Sequence, residues 1–186
     1  MNQHKTDLSK FDNSWYSSSV PKIKLGLWII VSTLFFLNNL SVLSSFKKWL
    51  LVVFGAKVGK GVVIKQSVRI KYPWLLEIGD HVWIGECCWI ENHVKVKIGN
   101  HVCLSQGAML LCGNHDFKKS TFDLIVGEII LEEGVWIGAR AMVCPGIICK
   151  SHAVLSVEST ASSNLEAYSV YRGNPAVKVR DRVIAT

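Results

Sequence analysis

The chain has 186 residues, 49% of them hydrophobic and 19% charged, which supports one packed domain and excludes a disordered chain. Its formal charge of +7 and pI near 9.2 point to an anionic partner: a phosphorylated cofactor, an acidic lipid surface or nucleic acid. The bases are scattered rather than gathered into a block, so nucleic acid ranks last.

The first 19 residues, MNQHKTDLSKFDNSWYSSS, are polar and lack the charged-then-apolar layout of a signal peptide, which predicts a cytoplasmic protein. In a reducing compartment the six cysteines, Cys87, Cys88, Cys103, Cys112, Cys144 and Cys149, read as small packing residues, and no CxxC pair argues for zinc. Leu25–Leu43 comes next as LGLWIIVSTLFFLNNLSVL, strongly apolar only to Leu37, where Asn38 and Asn39 interrupt it. A membrane-spanning helix needs about 20 apolar residues, so insertion is disfavoured. With Lys22, Lys24, Lys47 and Lys48 as flanks, the segment reads as a helical cap on the rest of the chain or as an interfacial helix against anionic lipid.

From Val58 the chain repeats. GVVIKQSVRI, HVWIGECCWI and HVCLSQGAML recur at intervals of 20 residues, and within each unit the aliphatic period is six: Val58, Ile64, Ile70; Ile78, Ile84, Ile90; Ile98, Leu104, Leu110. A second set runs without insertions through Leu131, Ile137, Val143, Cys149 and Leu155. Small or β-branched residues such as Val82, Cys88, Val102 and Ala108 sit four positions after the aliphatic ones. Helices need spacings of 3 and 4, and strands a sustained alternation of 2. A period of six fits a short strand plus a corner, three of which close a triangular coil, so the spacing predicts about five stacked coils from Val58 to Thr160.

Between Leu110 and Leu131 the rhythm fails, and LLCGNHDFKKS opens a long insertion with His115 at its mouth. Loops of this length without obvious secondary structure are usually functional or disordered. On the residues alone, His115-Asp116 reads as a turn cap. His81 and His101 occupy equivalent places in consecutive repeats, with His93 at another corner, which raises a zinc site as the alternative to corner filling.

The segments IGDHVWIG, IGNHVCLSQG and GVWIGARAMVCPG resemble the hexapeptide-repeat acyltransferases. FGAKVGKGVVIKQSVRIKYPWLLEIGDHVWIGE, GNHDF and YRGNPA are similar to the colanic acid biosynthesis acetyltransferases, relatives of maltose and galactoside O-acetyltransferases. The resemblance covers nearly the whole chain. It implies an all-β, left-handed parallel β-helix with a helical N-terminal cap: residues 1–57 as the cap, 58–163 as the β-helix with an active-site loop over 112–130, and 164–186 as a C-terminal extension. It also implies an O-acetyltransferase that moves acetyl from acetyl-CoA to a sugar hydroxyl in exopolysaccharide or capsule synthesis. The expected enzyme is a homotrimer needing no metal, in the cytoplasm or peripheral on the inner face of the membrane.

Carried over by motif, the resemblance makes His115 the catalytic general base, because Gly113-Asn114-His115-Asp116 matches the family's G-x-H motif. It puts Trp136, Ala139, Val157, Ser162, Lys178 and Arg180 at acetyl-CoA, and Glu91, Asn92 and Asp116 at the carbohydrate acceptor. Ser162-Ser163 stands where relatives often carry Thr-Lys, which leaves a phosphate contact to Arg140 or Arg172. The fold also hosts γ-class carbonic anhydrases, so a metalloenzyme built on the stacked histidines is the rival reading. A non-catalytic β-helical subunit is the other.

Overall fold

The computed structural model describes residues 5–38 and 43–185. It is a left-handed parallel β-helix with three walls. The first wall stacks Lys57–Val58, Leu76–Ile78, Val96–Ile98, Ile129–Leu131 and Ile148–Cys149. The second stacks Val63–Ile64, Trp83–Ile84, Cys103–Leu104, Trp136–Ile137 and Val154–Leu155, and the third Arg69–Ile70, Trp89–Glu91, Met109–Leu111, Met142–Val143 and Thr160–Ala161.

The six-residue period produces these walls directly. Of the aliphatic positions from Val58 to Leu155, every one but Val58 is buried, and the small residues four positions later, from Val82 and Cys88 to Ala153 and Ser159, are buried beside them. Burial pushes the Cys88, Cys112 and Cys149 thiols up to about 12, so these cysteines are inert packing groups rather than nucleophiles. The chain turns corners through left-handed residues: Ser67, His81, Cys87, His101, Arg140, His152 and Glu158 all have φ between +55° and +59°. At one corner the equivalent positions read Gly61, His81, His101, Gly134, His152 and Tyr168 on successive coils. The His81 and His101 rings stack with centroids 5.2 Å apart, and a Cβ on Gly134 would collide with the His152 ring.

Register records the insertions. Lys57 pairs with Glu77 and Glu77 with Lys97, the 20-residue coil; Ile98 then pairs with Leu131, and Leu131 with Cys149, an 18-residue coil. All extra residues fall on the edge between the third and first walls. That edge holds the 3₁₀ turn Pro73–Leu75 in the first coil, His93 in the second and the whole interruption in the third. The interruption is not irregular, contrary to the sequence expectation. It is an antiparallel hairpin pairing Gly113–His115 with Leu124–Val126: a segment projecting from a coil edge leaves the ladders of the walls, and its two arms pair with each other instead.

Both open ends are closed. Helices α1 (Lys22–Phe35) and α2 (Ser44–Val53) lie across the first coil. The Ser44 hydroxyl accepts the Ile64 N–H and donates to the Ile64 carbonyl, the buried Lys47 Nζ donates to the Lys65 carbonyl at 2.7 Å, and the Trp28 indole N–H donates to the Ile70 carbonyl at 3.0 Å. The sheet edge that would otherwise invite another strand is thus occupied by side chains. At the other end the coiling continues past residue 163: Leu165 bridges Cys149 on the first wall, and Ser169–Gly173 extends the second wall in parallel. After Asn174-Pro175, a cis peptide, Ala176–Asp181 returns antiparallel and closes that wall.

Asn92 sits at the enlarged edge with no exposed surface. Its Oδ1 accepts the Tyr72 N–H at 3.0 Å and its Nδ2 donates to the Tyr72 carbonyl at 2.6 Å, so it ties two coils together. This corrects its assignment to the acceptor site, because no ligand reaches it. Asn92→Ala leaves the buried Tyr72 N–H unpaired, while the Tyr72 carbonyl keeps the Leu75 N–H, and is expected to cost about 1–3 kcal/mol, measured by chemical denaturation.

Candidate active site

His115 ends the first strand of the hairpin, directly across from Leu124. Its Nδ1–H donates to the Phe122 carbonyl at 2.9 Å, since a carbonyl can only accept. That fixes the tautomer and leaves Nε2 with a free lone pair. The Phe122 ring lies flat on the imidazole, centroids 4.6 Å apart at 8°, and Phe11 leans on it at 5.6 Å. Leu8 completes an apolar pocket around the ring. The hairpin can start where it does because position 113 is glycine: a Cβ there would come within 2.9 Å of the His93 ring on the coil below.

Two pocket residues come from an N-terminal strap that the repeat pattern did not reveal. The strap descends the enlarged edge coil by coil. The Asp7 N–H donates to the Ser120 carbonyl at the hairpin tip, the Tyr16 hydroxyl to the His93 carbonyl, and the Trp74 indole to the Ser18 carbonyl, each at 2.8 Å. It then enters α1. One edge therefore joins His115 to the helical cap.

The polar neighbours of His115 are committed elsewhere. Asp116 accepts the Lys118 N–H at 3.1 Å and shapes the turn, while the Phe122 carbonyl orients the imidazole. Glu91 pairs with Lys71 at 2.8 Å and lies 3.3 Å from His93 Nε2. Burial first, and the Lys71 charge second, lower the His93 pKa from its ordinary value, against the opposing pull of Glu91. Glu91 remains partly exposed on the edge below the hairpin.

A second feature is a groove of about 520 Å³ along the corner between the second and third walls. Four of the residues expected at the cofactor, Trp136, Ala139, Val157 and Arg180, line it together. The Trp136 indole donates to Ser105 Oγ at 2.9 Å, which holds the ring as a wall. Glycine and serine elsewhere in the lining let an elongated ligand approach the backbone, and the charges among the described lining residues are Arg180 and Arg182. Arg182 donates to the Gly134 and His152 carbonyls, whereas the Arg180 guanidinium makes no hydrogen bond or ion pair among the described residues. The antiparallel return explains its position: Arg180 pairs with Val170 on the wall itself.

Two expected cofactor residues stand apart. Ser162 is exposed after the third wall, outside the groove, and the Lys178 ammonium is held by Asp181 at 2.6 Å on the strand face that turns away. Arg140 lies 3.6 Å from Glu158 and, like Arg172, does not line the groove. Sequence reasoning missed Ser105 and Arg182, whose proximity to Trp136 is created only by stacking. Among the described residues no three His, Cys, Asp or Glu side chains gather as metal ligands, and His81 and His101 fill their corner as stacked rings.

No protein-family model matches the chain. A colanic acid biosynthesis acetyltransferase of Escherichia coli is 37% identical over 172 residues, 89% of this chain and 94% of the relative. The chain belongs to the hexapeptide-repeat acetyltransferases. The fold agrees: a maltose O-acetyltransferase from Clostridium difficile superposes with a TM-score of 0.76 at 18% identity, over 91% of this chain and 92% of that one. A hexapeptide-repeat acetyltransferase from Vibrio cholerae, complexed with acetyl coenzyme A, gives 0.72 at 19% identity over 78% and 81%. In this acetyltransferase the histidine and the groove occupy different corners of the prism, separated by the third wall, a hexad roughly 15–20 Å wide. Arg180→Ala tests the expected phosphate contact: the KM for the acyl donor should rise about tenfold with little change in kcat, because a contact remote from the reacting carbon is felt equally in ground and transition states. Steady-state kinetics at saturating acceptor would check it.

Proposed function

We propose that the protein transfers acetyl from acetyl-CoA to a sugar hydroxyl in the synthesis of a surface polysaccharide, with His115 as general base. The observation that carries this reading is the bond from His115 Nδ1–H to the Phe122 carbonyl, which presents Nε2 as an acceptor in an apolar pocket. Nε2 takes the proton of the acceptor hydroxyl as its oxygen attacks the thioester carbonyl. Backbone N–H groups near the hairpin hold the tetrahedral oxyanion, the carbon–sulfur bond breaks, and the imidazolium returns its proton to the departing thiolate. No acyl-enzyme forms and no metal is needed, since a thiolate leaves readily. The aromatic rings of Phe11 and Phe122 suit the apolar face of a sugar, with Asp116 beside the base and Glu91 on the edge below as partly exposed carboxylates for its hydroxyls.

The donor fits the groove, with pantetheine against Trp136, Ala139 and Val157 and phosphate toward Arg180. Because groove and base flank one wall without sharing a residue, the working enzyme is a homotrimer in which His115 of one subunit meets the groove of the next. The outward third wall, with Trp89, Met109 and Met142, is apolar enough to pack there. Acetyl-CoA is an intracellular metabolite, which suits a cytoplasmic enzyme. Incubation with acetyl-CoA and sugar acceptors should release coenzyme A and form a product whose acetyl group mild alkali removes, the signature of an ester. An alkali-stable product would establish N-acetylation and overturn the hydroxyl assignment.

A further inference from the structure

We propose that the outer face of the helical cap seats the enzyme on an anionic lipid bilayer. Helix α1 buries Trp28 against the coil and turns Ile23, Leu27, Ile30 and Leu34 outward at helical spacing, all more than half exposed. Helix α2 buries Lys47, Leu50 and Leu51 and leaves Phe46, Trp49, Val52 and Val53 in the open. The two stripes adjoin, since Phe35 of α1 meets Phe46 of α2 edge-on at 5.2 Å and Phe46 stacks on Trp49 at 5.7 Å. An exposed apolar surface of this kind marks a contact site.

Charge selects the occupant. From Asn13 to Leu76, 64 residues hold nine Lys and Arg and no Asp or Glu, so this end carries +9 while the rest of the chain sums to −2. Lys57, Lys60 and Lys71 are paired with Glu77, Asp80 and Glu91 of the next coil. Among the described residues no carboxylate pairs with Lys22, Lys24, Lys48, Lys65 or Arg69. A second copy of the same face would set like charges against like, whereas an anionic headgroup layer accepts both the lysines and the apolar stripe. Among the described residues no helix is long and apolar enough to cross a membrane, so the cap lies on the surface rather than through it.

This deepens the proposed function. The strap ties the cap to the hairpin along one edge, which sets His115 two coils above the first, roughly 10 Å of stacking beyond the helices. A saccharide carried on a lipid anchor would meet the base at that height. The test is flotation of the whole chain, without acetyl-CoA, with vesicles of phosphatidylglycerol and phosphatidylcholine in equal parts or of phosphatidylcholine alone. Salt-sensitive flotation is expected with the anionic vesicles only. The pair Ile30→Ser with Trp49→Ser, and the pair Lys22→Gln with Lys48→Gln, should each weaken partition by about tenfold or more. Lys22, Ile30 and Trp49 are exposed and Lys48 is partly so, and circular dichroism would verify that the variants fold. His115→Ala should float like the wild type, which separates this proposal from the catalytic one. Absence of flotation with anionic vesicles would overturn it, as would a lipid-independent higher oligomer that the Ile30 and Trp49 changes dissolve, since the face would then join copies of the chain.

Discussion

Replacing His115 by Ala is expected to lower turnover by roughly 10²–10⁴-fold, the share a general base commonly supplies. The loss should fall on kcat, with the KM for acetyl-CoA unchanged, because the groove at Trp136 and Arg180 shares no residue with the histidine pocket. The fold should be untouched, since His115 projects from the solenoid on a hairpin and forms no part of its interior. His115→Gln tests the chemistry further: it can still receive or donate hydrogen bonds at that place but cannot carry the proton away, so it should be as slow as the alanine variant. A near-normal rate in either variant would remove His115 from the mechanism.

The second large effect belongs to the hairpin tip. Replacing residues 116–123 by Asn-Gly joins His115 to Leu124 across a two-residue turn, which their pairing permits. The circular dichroism and thermal midpoint should stay close to wild type, because the stacked core lies entirely behind the hairpin. Activity should fall by about 10²-fold or more. The tip supplies the carbonyl that fixes the imidazole tautomer, the Phe122 ring that walls the pocket and the Ser120 carbonyl that anchors the strap. Global unfolding would show that the tip is structural, and full activity would show that neither the Phe122 bond nor the strap serves catalysis. Phe122→Ala separates the ring from the carbonyl, since it removes the first and keeps the second.

The coil architecture was legible from the order of residues because its cause is periodic. An aliphatic residue every six positions, with a small partner four later, is the direct trace of a wall facing inward, and Leu104, Ile137 and Cys149 are buried where that period places them. The point of interruption was equally visible, as a place where the period stops, and the resemblance carried His115 and the groove residues Trp136, Ala139, Val157 and Arg180. Contacts between segments with no common period left no such pattern. The strap lies beside the hairpin although Asp7 and Ser120 are far apart in sequence, and that distance leaves no mark on either segment. Asn92 looks like a polar edge residue in sequence; only the stacking of two enlarged corners buries it and turns both its amide atoms onto Tyr72. Arg180, with Lys178 second to it, reads as a phosphate ligand from the letters, and their spacing of two would put them on one face of a regular strand. The return of the last strand decides between them, giving one to Asp181 and the other to the groove. A register shift at Val170 and Tyr171 pairs Arg180 with the first and Lys178 with the second, and neighbours along a strand point to opposite faces.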